Sequence, residues 1–157
     1  MNSTLMFSKA SDEWSTPQEF YDALHAEFGF QIDAAATRET NKCAAYYGLD
    51  RGGLSSRPCY GDALAGNWFG GPHWCNPPYS KCREFVAKAA QERVRGVLTV
   101  MLVPSRTDTR WFHEHVWDAQ THRPRLSIEV RFVKGRLKFG GAAAGAPFPS
   151  MVIVFRP

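Results

Sequence analysis

The chain has 157 residues, 44% hydrophobic and 22% charged, which predicts one globular domain over residues 1–157. It contains no apolar run of about 18 residues and no basic and apolar signal block, which argues against a membrane helix and against secretion. Its four cysteines form no CxxC pair, so we expect reduced thiols in a cytoplasm and no bound metal.

The net charge of +4 is unevenly distributed along the chain. Residues 1–80 contain 5 Lys and Arg against 9 Asp and Glu, whereas residues 81–157 contain 14 against 6. This asymmetry fits a polyanion partner, with nucleic acid as the first candidate, and it equally fits a solvated basic surface.

The first predicted element is a helix that follows a loose arm of residues 1–11. In STPQEFYDALHAEFG, Thr16 can cap the helix, Pro17 suits its first position and Glu19 can complete a capping box. Gly29 is expected to end the helix.

Short strands and loops are predicted next. FQIDAAA is typical of a buried strand that ends at Asp33, and residues 38–47 predict a weak helix. Residues 48–72 contain many glycines and predict a loop. HWCN then predicts a short strand that ends at Asn76.

Two helices and three strands are predicted in the second half of the chain. Ser80 is expected to cap a helix that extends to about Val94, and residues 108–119 predict another helix. GVLTVMLVP is apolar nearly throughout, as in a strand covered on both faces. SIEVRFVKG and SMVIVF predict strands, joined by a loop that contains GGAAAGA.

The order of these elements predicts the fold class. Strands alternate with helices before two strands come close together, which indicates an α/β fold with a mainly parallel sheet and an antiparallel strand near the C-terminal end. Ligands bind such sheets beyond the carboxyl ends of the strands. Asp33 and Asn76 both fall at such ends, so we expect a site there.

The stretch WCNPPYS has a chemical interpretation. Two prolines fix an extended backbone, so the Asn76 side chain and a nearby carbonyl can present two acceptors to an amino group on a flat base. Tyr79 offers a ring on which the base can stack. A rigid turn with Tyr79 in the core explains the same letters equally well.

The motif NPPYS resembles the (D/N/S)PP(Y/F/W) motif of amino-methyltransferases, which act on N6 of adenine or N4 of cytosine. Together with DEWSTPQEFYDAL, FQIDAAATRETNKC, DALAGNWFGGPHW, VPSRTDTRWFH and VKGRLKF, it resembles the phage-type, Dam-like DNA N6-adenine methyltransferases. This ordered resemblance covers about residues 12–155.

The resemblance implies a Rossmann-like methyltransferase fold, S-adenosylmethionine as methyl donor, and DNA as partner with the target base flipped out of the duplex. It also implies a phage or prophage protein that acts in the cytoplasm of a bacterial host. The matching cofactor positions are Trp14, Thr16 and Pro17 beside the methionine part, Asp33 after the first strand, Asp62 near the adenosine, and Asn76. The matching catalytic positions are Asn76, Pro77, Pro78 and Tyr79. The stretch DAAATRE lacks the glycine-rich loop of many methyltransferases, so the cofactor contacts of residues 34–37 stay open.

Basic residues in the second half are candidates for contacts with DNA, or for a plain charged surface. They are Arg106, Arg110, Lys134, Arg136 and Lys138. Two alternatives to the adenine reaction also stay open, namely an N4-cytosine methyltransferase and a DNA-binding module that kept the fold without the activity.

Overall fold

Six strands form one mixed sheet within the part of the chain that the structure describes, residues 14–49 and 57–157 of a computed structural model. The helices and strands are, in chain order, α1 Gln18–Phe28, β1 Ile32–Asp33, β2 Ala45–Tyr46, β3 His73–Cys75, α2 Cys82–Val94, β4 Thr99–Pro104, α3 Arg110–His115, β5 Trp117–Asp118, β6 Arg123–Pro124, β7 Ile128–Phe132 and β8 Ser150–Phe155. Two 3-10 turns cover Tyr79–Lys81 and Phe139–Gly141. The predicted arm, residues 1–11, lies outside the described residues.

The strand order in the sheet is β2-β1-β3-β4-β8-β7. The first four strands are parallel, and β8 runs antiparallel to both β4 and β7. This topology confirms the predicted α/β class with its antiparallel strand near the C-terminal end. We call the side of the sheet at which β1, β3, β4 and β7 end the carboxyl edge.

Helices cover both faces of the sheet and bury two apolar layers. The face under α2 and α3 contains Cys75, Met101, Val103, Ile153, Phe85, Val86, Ala89, Trp111 and Phe112. The face under α1 contains Trp74, Val100, Leu102, Val152, Val154, Tyr21, Leu24 and Phe30. Every residue of β4 and β8 is buried, which agrees with the unbroken apolar sequence of both strands.

Helix α1 ends as predicted but begins differently. Gly29 adopts the left-handed conformation (φ 64°, ψ 51°), and its N–H donates to the His25 carbonyl, a C-terminal cap that suits glycine. The N-cap position is Pro17, and no side chain caps it. The prediction that Thr16 caps the helix is therefore wrong, because the Thr16 hydroxyl contacts Asn76 instead.

The helix predicted over residues 38–47 is absent, and β2 occupies its second half. Thr37 and Thr40 close a turn through their hydroxyls and backbone, and the Lys42 N–H donates to the Asp33 carboxylate instead of to a helical carbonyl. The predicted loop is confirmed for residues 57–72, which contain a single isolated bridge at Cys59 within the described range.

Two further helix boundaries differ from the prediction. Ser80 does not cap α2, because the 3-10 turn Tyr79–Lys81 precedes the helix; the predicted end at Val94 is correct. Within residues 108–119, the helical part is α3, Arg110–His115. A hairpin of β5 and β6 follows, and the Arg125 N–H bonds the Val116 carbonyl at 2.8 Å. The described part of the chain contains no helix that is long and apolar enough to cross a membrane.

Candidate active site at the carboxyl edge

A cavity of about 310 Å³ lies at the carboxyl edge of the sheet. Its walls include six of the predicted site residues: Trp14, Thr16, Asp33, Asp62, Asn76 and Pro78. These residues come from four separate stretches of sequence, so the fold brings together what the sequence presents far apart. Pro17, Pro77 and Tyr79 adjoin lining residues in sequence without lining the cavity themselves.

Asp33 places a buried carboxylate at the end of β1, with 3% of its surface exposed. Its two oxygens accept hydrogen bonds from the N–H groups of Ala35, at 3.3 Å, and Lys42, at 3.1 Å. Burial raises the pKa of Asp33 to about 6, because the two hydrogen bonds offset only part of the desolvation of the charge. The carboxylate is thus held in place and titrates close to neutral pH.

The cavity lining also includes an exposed carboxylate and small side chains. The Asp62 side chain accepts from the Leu64 N–H at 2.9 Å, and the loop that carries both residues lines the cavity. Residues 34–37 of the stretch DAAATRE also line it. Alanines at this turn leave room for a ligand to approach the backbone, as glycines do in related loops.

The side-chain amide of Asn76 is oriented by two acceptors. Its Nδ2 donates to the Trp14 backbone carbonyl and to the Thr16 hydroxyl, the latter at 3.0 Å. Its Oδ1 is buried and has no hydrogen-bond partner among the described residues. A carbonyl can only accept, so the opposite amide orientation would set two oxygens against each other. Asn76 therefore lines the cavity with a fixed amide, whose Oδ1 is buried and unpaired among the described residues.

The residues after Asn76 place the aromatic ring of Tyr79 against Trp14 and Phe148. Pro78 is extended (φ −53°, ψ 132°), and its carbonyl accepts from the Lys81 N–H at 2.9 Å. The ring of Tyr79 lies 6.3 Å from that of Trp14 at an interplanar angle of 18°, and it meets Phe148 edge-on at 5.0 Å. Burial raises the pKa of Tyr79, so its hydroxyl stays protonated.

The loop between β7 and β8 closes against the site, which the sequence did not predict. Phe139 and Phe148 both pack against Trp14, with ring centroids 5.6 Å apart in each pair, and the Gly140 N–H donates to the Ser15 carbonyl. No local pattern in GRLKFGGAAAGAPFP marks these two rings, because their partners lie more than 50 residues away. Other lining residues missed from the sequence include Thr40, Lys42, Tyr47, Leu49, Ala63, Leu64 and Phe85.

The five basic residues predicted to contact DNA are all exposed, and none of them lines the cavity. Arg106 and Arg110 follow the carboxyl end of β4, and Arg110 pairs with Glu114 at 2.9 Å. Lys134, Arg136 and Lys138 lie in the β7–β8 loop. That loop leaves β7 at the carboxyl edge, since Phe132 pairs with Met151 and Pro104 with Ser150. All five thus lie on the side of the sheet that carries the cavity.

Metal ligands do not come together in residues 14–49 and 57–157: no group of three His, Cys, Asp or Glu side chains there could hold an ion. The four cysteines are free thiols. The cavity lining offers carboxylates, an amide and aromatic rings.

Comparison with known proteins identifies the family. The family model described as DNA N-6-adenine-methyltransferase (Dam) matches residues 3–157. This chain belongs to the Dam family. The predicted membership of the Dam-like family is thereby confirmed, and the match covers nearly the whole sequence.

Two curated Dam relatives come from phages. The DNA N-6-adenine-methyltransferase of Escherichia phage T1 is 34% identical over 106 residues, which are 66% of this chain and 40% of that protein. The DNA N-6-adenine-methyltransferase of Haemophilus phage HP1 (strain HP1c1) is 24% identical over 155 residues, covering 96% of this chain and 83% of that protein. The alignment with the T1 protein thus spans less than half of its length.

A solved structure shares the fold of this Dam family member. The 23S rRNA methyltransferase ErmE aligns with 92% of this chain and 70% of its own at a TM-score of 0.57 and 10% identity. This likeness confirms the predicted Rossmann-like methyltransferase fold.

Proposed function

We propose that this protein transfers a methyl group from S-adenosylmethionine to the N6 amino group of adenine in DNA. Asn76 carries the proposal, because its Oδ1 is a buried, fixed acceptor without a partner among the described residues. Burying an unpaired acceptor costs free energy, so a site that keeps one is suited to a donor that arrives with the substrate. An exocyclic amino group is such a donor.

The residues that line the cavity suit the chemistry of S-adenosylmethionine. Asp33 and Asp62 offer carboxylates to the hydroxyl and ammonium groups of the cofactor, and Leu49, Leu64 and Phe85 offer apolar contacts to its base. The alanines of DAAATRE allow the cofactor to lie close to the backbone at the end of β1. When bound, the cofactor supplies a methyl group on a positively charged sulfur.

Asn76 and its neighbours would act on the nucleophile. The lone pair of the adenine amino nitrogen is delocalised into the ring, which makes the nitrogen a weak nucleophile. Asn76 Oδ1 and the Pro77 carbonyl, accepting its two N–H bonds, would concentrate the lone pair on nitrogen and stabilise the positive charge that develops there. Holding the nitrogen in line with the methyl group supplies the remaining acceleration.

Tyr79 and the basic residues would hold the substrate. An adenine inside a duplex is out of reach of the cavity, so the base must be flipped out, and Tyr79 supplies a ring for it to stack on. Arg106, Lys134, Arg136 and Lys138 lie at the carboxyl edge, where their charge suits contacts with phosphates.

The two alternative functions are less well supported. An N4-cytosine enzyme could use the same NPPY geometry, but the family match and both curated relatives are of the adenine type. An inactive DNA-binding module would not need Asn76, Asp33 and Asp62 around one cavity together with an unused acceptor.

A direct test is methylation of amplified, unmethylated duplex DNA with radiolabelled S-adenosylmethionine, followed by digestion to nucleosides. We expect the label in N6-methyladenine. Asn76→Ala should abolish the transfer while binding the cofactor within a few-fold of the wild-type affinity.

Asn67 provides the matched control, since it is exposed and does not line the cavity. Asn67→Ala should methylate DNA at the wild-type rate. Label in N4-methylcytosine, or wild-type turnover by the Asn76→Ala variant, would refute the proposed function.

A further inference from the structure

We propose that Thr16 is a positioning residue that fixes the Asn76 amide for methyl transfer, an inference that rests on the proposed function. Asn76 Nδ2 has two N–H bonds, and the Trp14 carbonyl and the Thr16 hydroxyl accept one each. Thr16 is 4% exposed, so water does not readily replace its hydroxyl. With both N–H groups engaged, Asn76 Oδ1 remains a buried acceptor without a partner among the described residues.

The two acceptors have different effects on the amide. The Trp14 carbonyl selects the orientation, because it can only accept and so must face the nitrogen. The Thr16 hydroxyl can accept or donate and does not select the orientation. It holds the second N–H and thereby restricts the terminal torsion of Asn76, which is intrinsically broad. Without that hydroxyl, one N–H is left unpaired and the amide plane is free to turn.

The start of α1 gives independent support for this role. Threonine in front of a helix usually caps the first turn with its hydroxyl, yet the N-terminus of α1 has no side-chain cap. The Thr16 hydroxyl instead bonds a side chain 60 positions away in sequence. The stabilisation that a cap would supply is thus forgone where the hydroxyl is needed to orient Asn76.

The kinetic test uses Thr16→Val, which keeps the branched shape and removes the hydroxyl, and Thr16→Ser, which keeps the hydroxyl. We expect Thr16→Val to lower kcat about tenfold, the effect of losing one neutral hydrogen bond from the reacting geometry, with the Kd for S-adenosylmethionine within about twofold of wild type. Thr16→Ser should restore kcat. Thr16→Ala removes the same hydroxyl and replaces the valine variant if that variant does not fold.

Thr99 offers a matched control for the loss of a buried hydroxyl. It is fully buried in β4 beneath α2, does not line the cavity, and its hydroxyl has no partner among the described residues. Thr99→Val should leave kcat unchanged. If the hydrogen bond to Asn76 is what supports kcat, a threonine-to-valine change should lower kcat at position 16 and leave it unchanged at position 99.

A second readout does not depend on activity. The sequence contains four asparagines, so selective 15N labelling gives four side-chain amide signals, and Asn76→Ala identifies the one from Asn76. We expect the Asn76 side-chain N–H groups to exchange slowly with solvent in the wild type and in Thr16→Ser, and faster in Thr16→Val.

Each outcome bears on one proposal. Wild-type kcat and wild-type exchange in Thr16→Val would overturn the positioning role and leave the proposed function intact. A weakened cofactor affinity with unchanged kcat would make Thr16 a cofactor contact and would also overturn it. Wild-type methylation by Asn76→Ala would refute the proposed function, while the exchange rates would still test the Thr16–Asn76 hydrogen bond.

Discussion

The ionisation of Asp33 is expected to affect both the stability of the free protein and its affinity for the cofactor. Burial raises the pKa of Asp33 from its usual 3.8 to about 6, so the folded state holds the proton more tightly than the unfolded state does. The contribution of Asp33 to stability is therefore greatest below about pH 4 and is lost as the pH rises through 6. Its full extent is on the order of 3 kcal/mol.

The variant Asp33→Asn should remove this pH dependence. We expect the free energy of unfolding of the variant, relative to wild type, to increase by up to roughly 3 kcal/mol from pH 4 to pH 7.5. Urea titrations at several pH values would measure it. The comparison cancels the opposite effect of His73, whose pKa burial lowers to about 4. Parallel pH profiles for the two proteins would contradict the assignment.

Binding of S-adenosylmethionine should follow the opposite trend with pH. The proposed contact needs the ionised carboxylate, so the wild-type affinity should increase as the pH rises through about 6, and the affinity of Asp33→Asn should not. At neutral pH we therefore expect the ionised Asp33 to lower the stability of the free protein and, at the same time, to be available to bind the cofactor.

At the scale of elements, the β7–β8 loop packs against residues 14–16, which line the site. Phe139 is 3% exposed and packs against Trp14, whose carbonyl orients Asn76. Phe148 meets both Trp14 and Tyr79. The loop that contains the low-complexity stretch GGAAAGA therefore has a specific packing role.

Truncation of Phe139 should measure that role. Phe139→Ala should lower the free energy of unfolding by about 3 kcal/mol or more, as for other buried phenylalanines, and should lower the methylation rate. Phe132, 65% exposed at the end of β7, is the matched control, and Phe132→Ala should change stability by less than about 0.5 kcal/mol. Equal losses for the two variants in urea unfolding would show that the loop does not pack as described.

The elements also show what the sequence can predict. Helix α1 and strands β1, β3, β4, β7 and β8 were predicted because apolar pattern and end signals agree within each segment. The strands β2, β5 and β6 have two residues each, too few for a period, and their backbone pairing with a neighbouring strand defines them. Strand β1 is equally short, but the apolar stretch FQIDAAA around it predicts it. The sequence places Asp33 and Asn76 at strand ends. It does not predict the hydrogen bond from Asn76 to Thr16, because a threonine in front of a helix favours a local cap.

At the scale of the whole molecule, two groups of basic residues from the second half lie at opposite ends of the sheet. Lys134, Arg136 and Lys138 lie in the loop that leaves β7 at the carboxyl edge. Arg123 precedes the other end of β7, and Arg156 follows the end of β8 there, where its guanidinium pairs with Glu129 at 2.8 Å. Positive charge from one half of the sequence therefore lies partly at the carboxyl edge and partly at the opposite end of the sheet.

This separation predicts which charges contact DNA. Removing two phosphate contacts should reduce the slope of log affinity against log salt by about 2, and we expect this for the double variant Lys134→Ala/Lys138→Ala. The double variant Arg123→Ala/Arg156→Ala has the same net charge and should keep the wild-type slope. DNA binding measured at several salt concentrations would decide, and equal slopes for the two variants would count against a DNA contact at the carboxyl edge.

The central place of β8 has a consequence for the nascent chain. Residues 150–155 are synthesised after every other described strand, yet they lie between β4 and β7 and pair with both. The stretches that carry Asp33 and Asn76 emerge from the ribosome before β8 is made, so β4 then has an unpaired apolar edge. Such an edge promotes association between chains. The sheet therefore closes at its middle, and synthesis of β8, rather than synthesis of the NPPYS stretch, sets the moment at which this edge is covered.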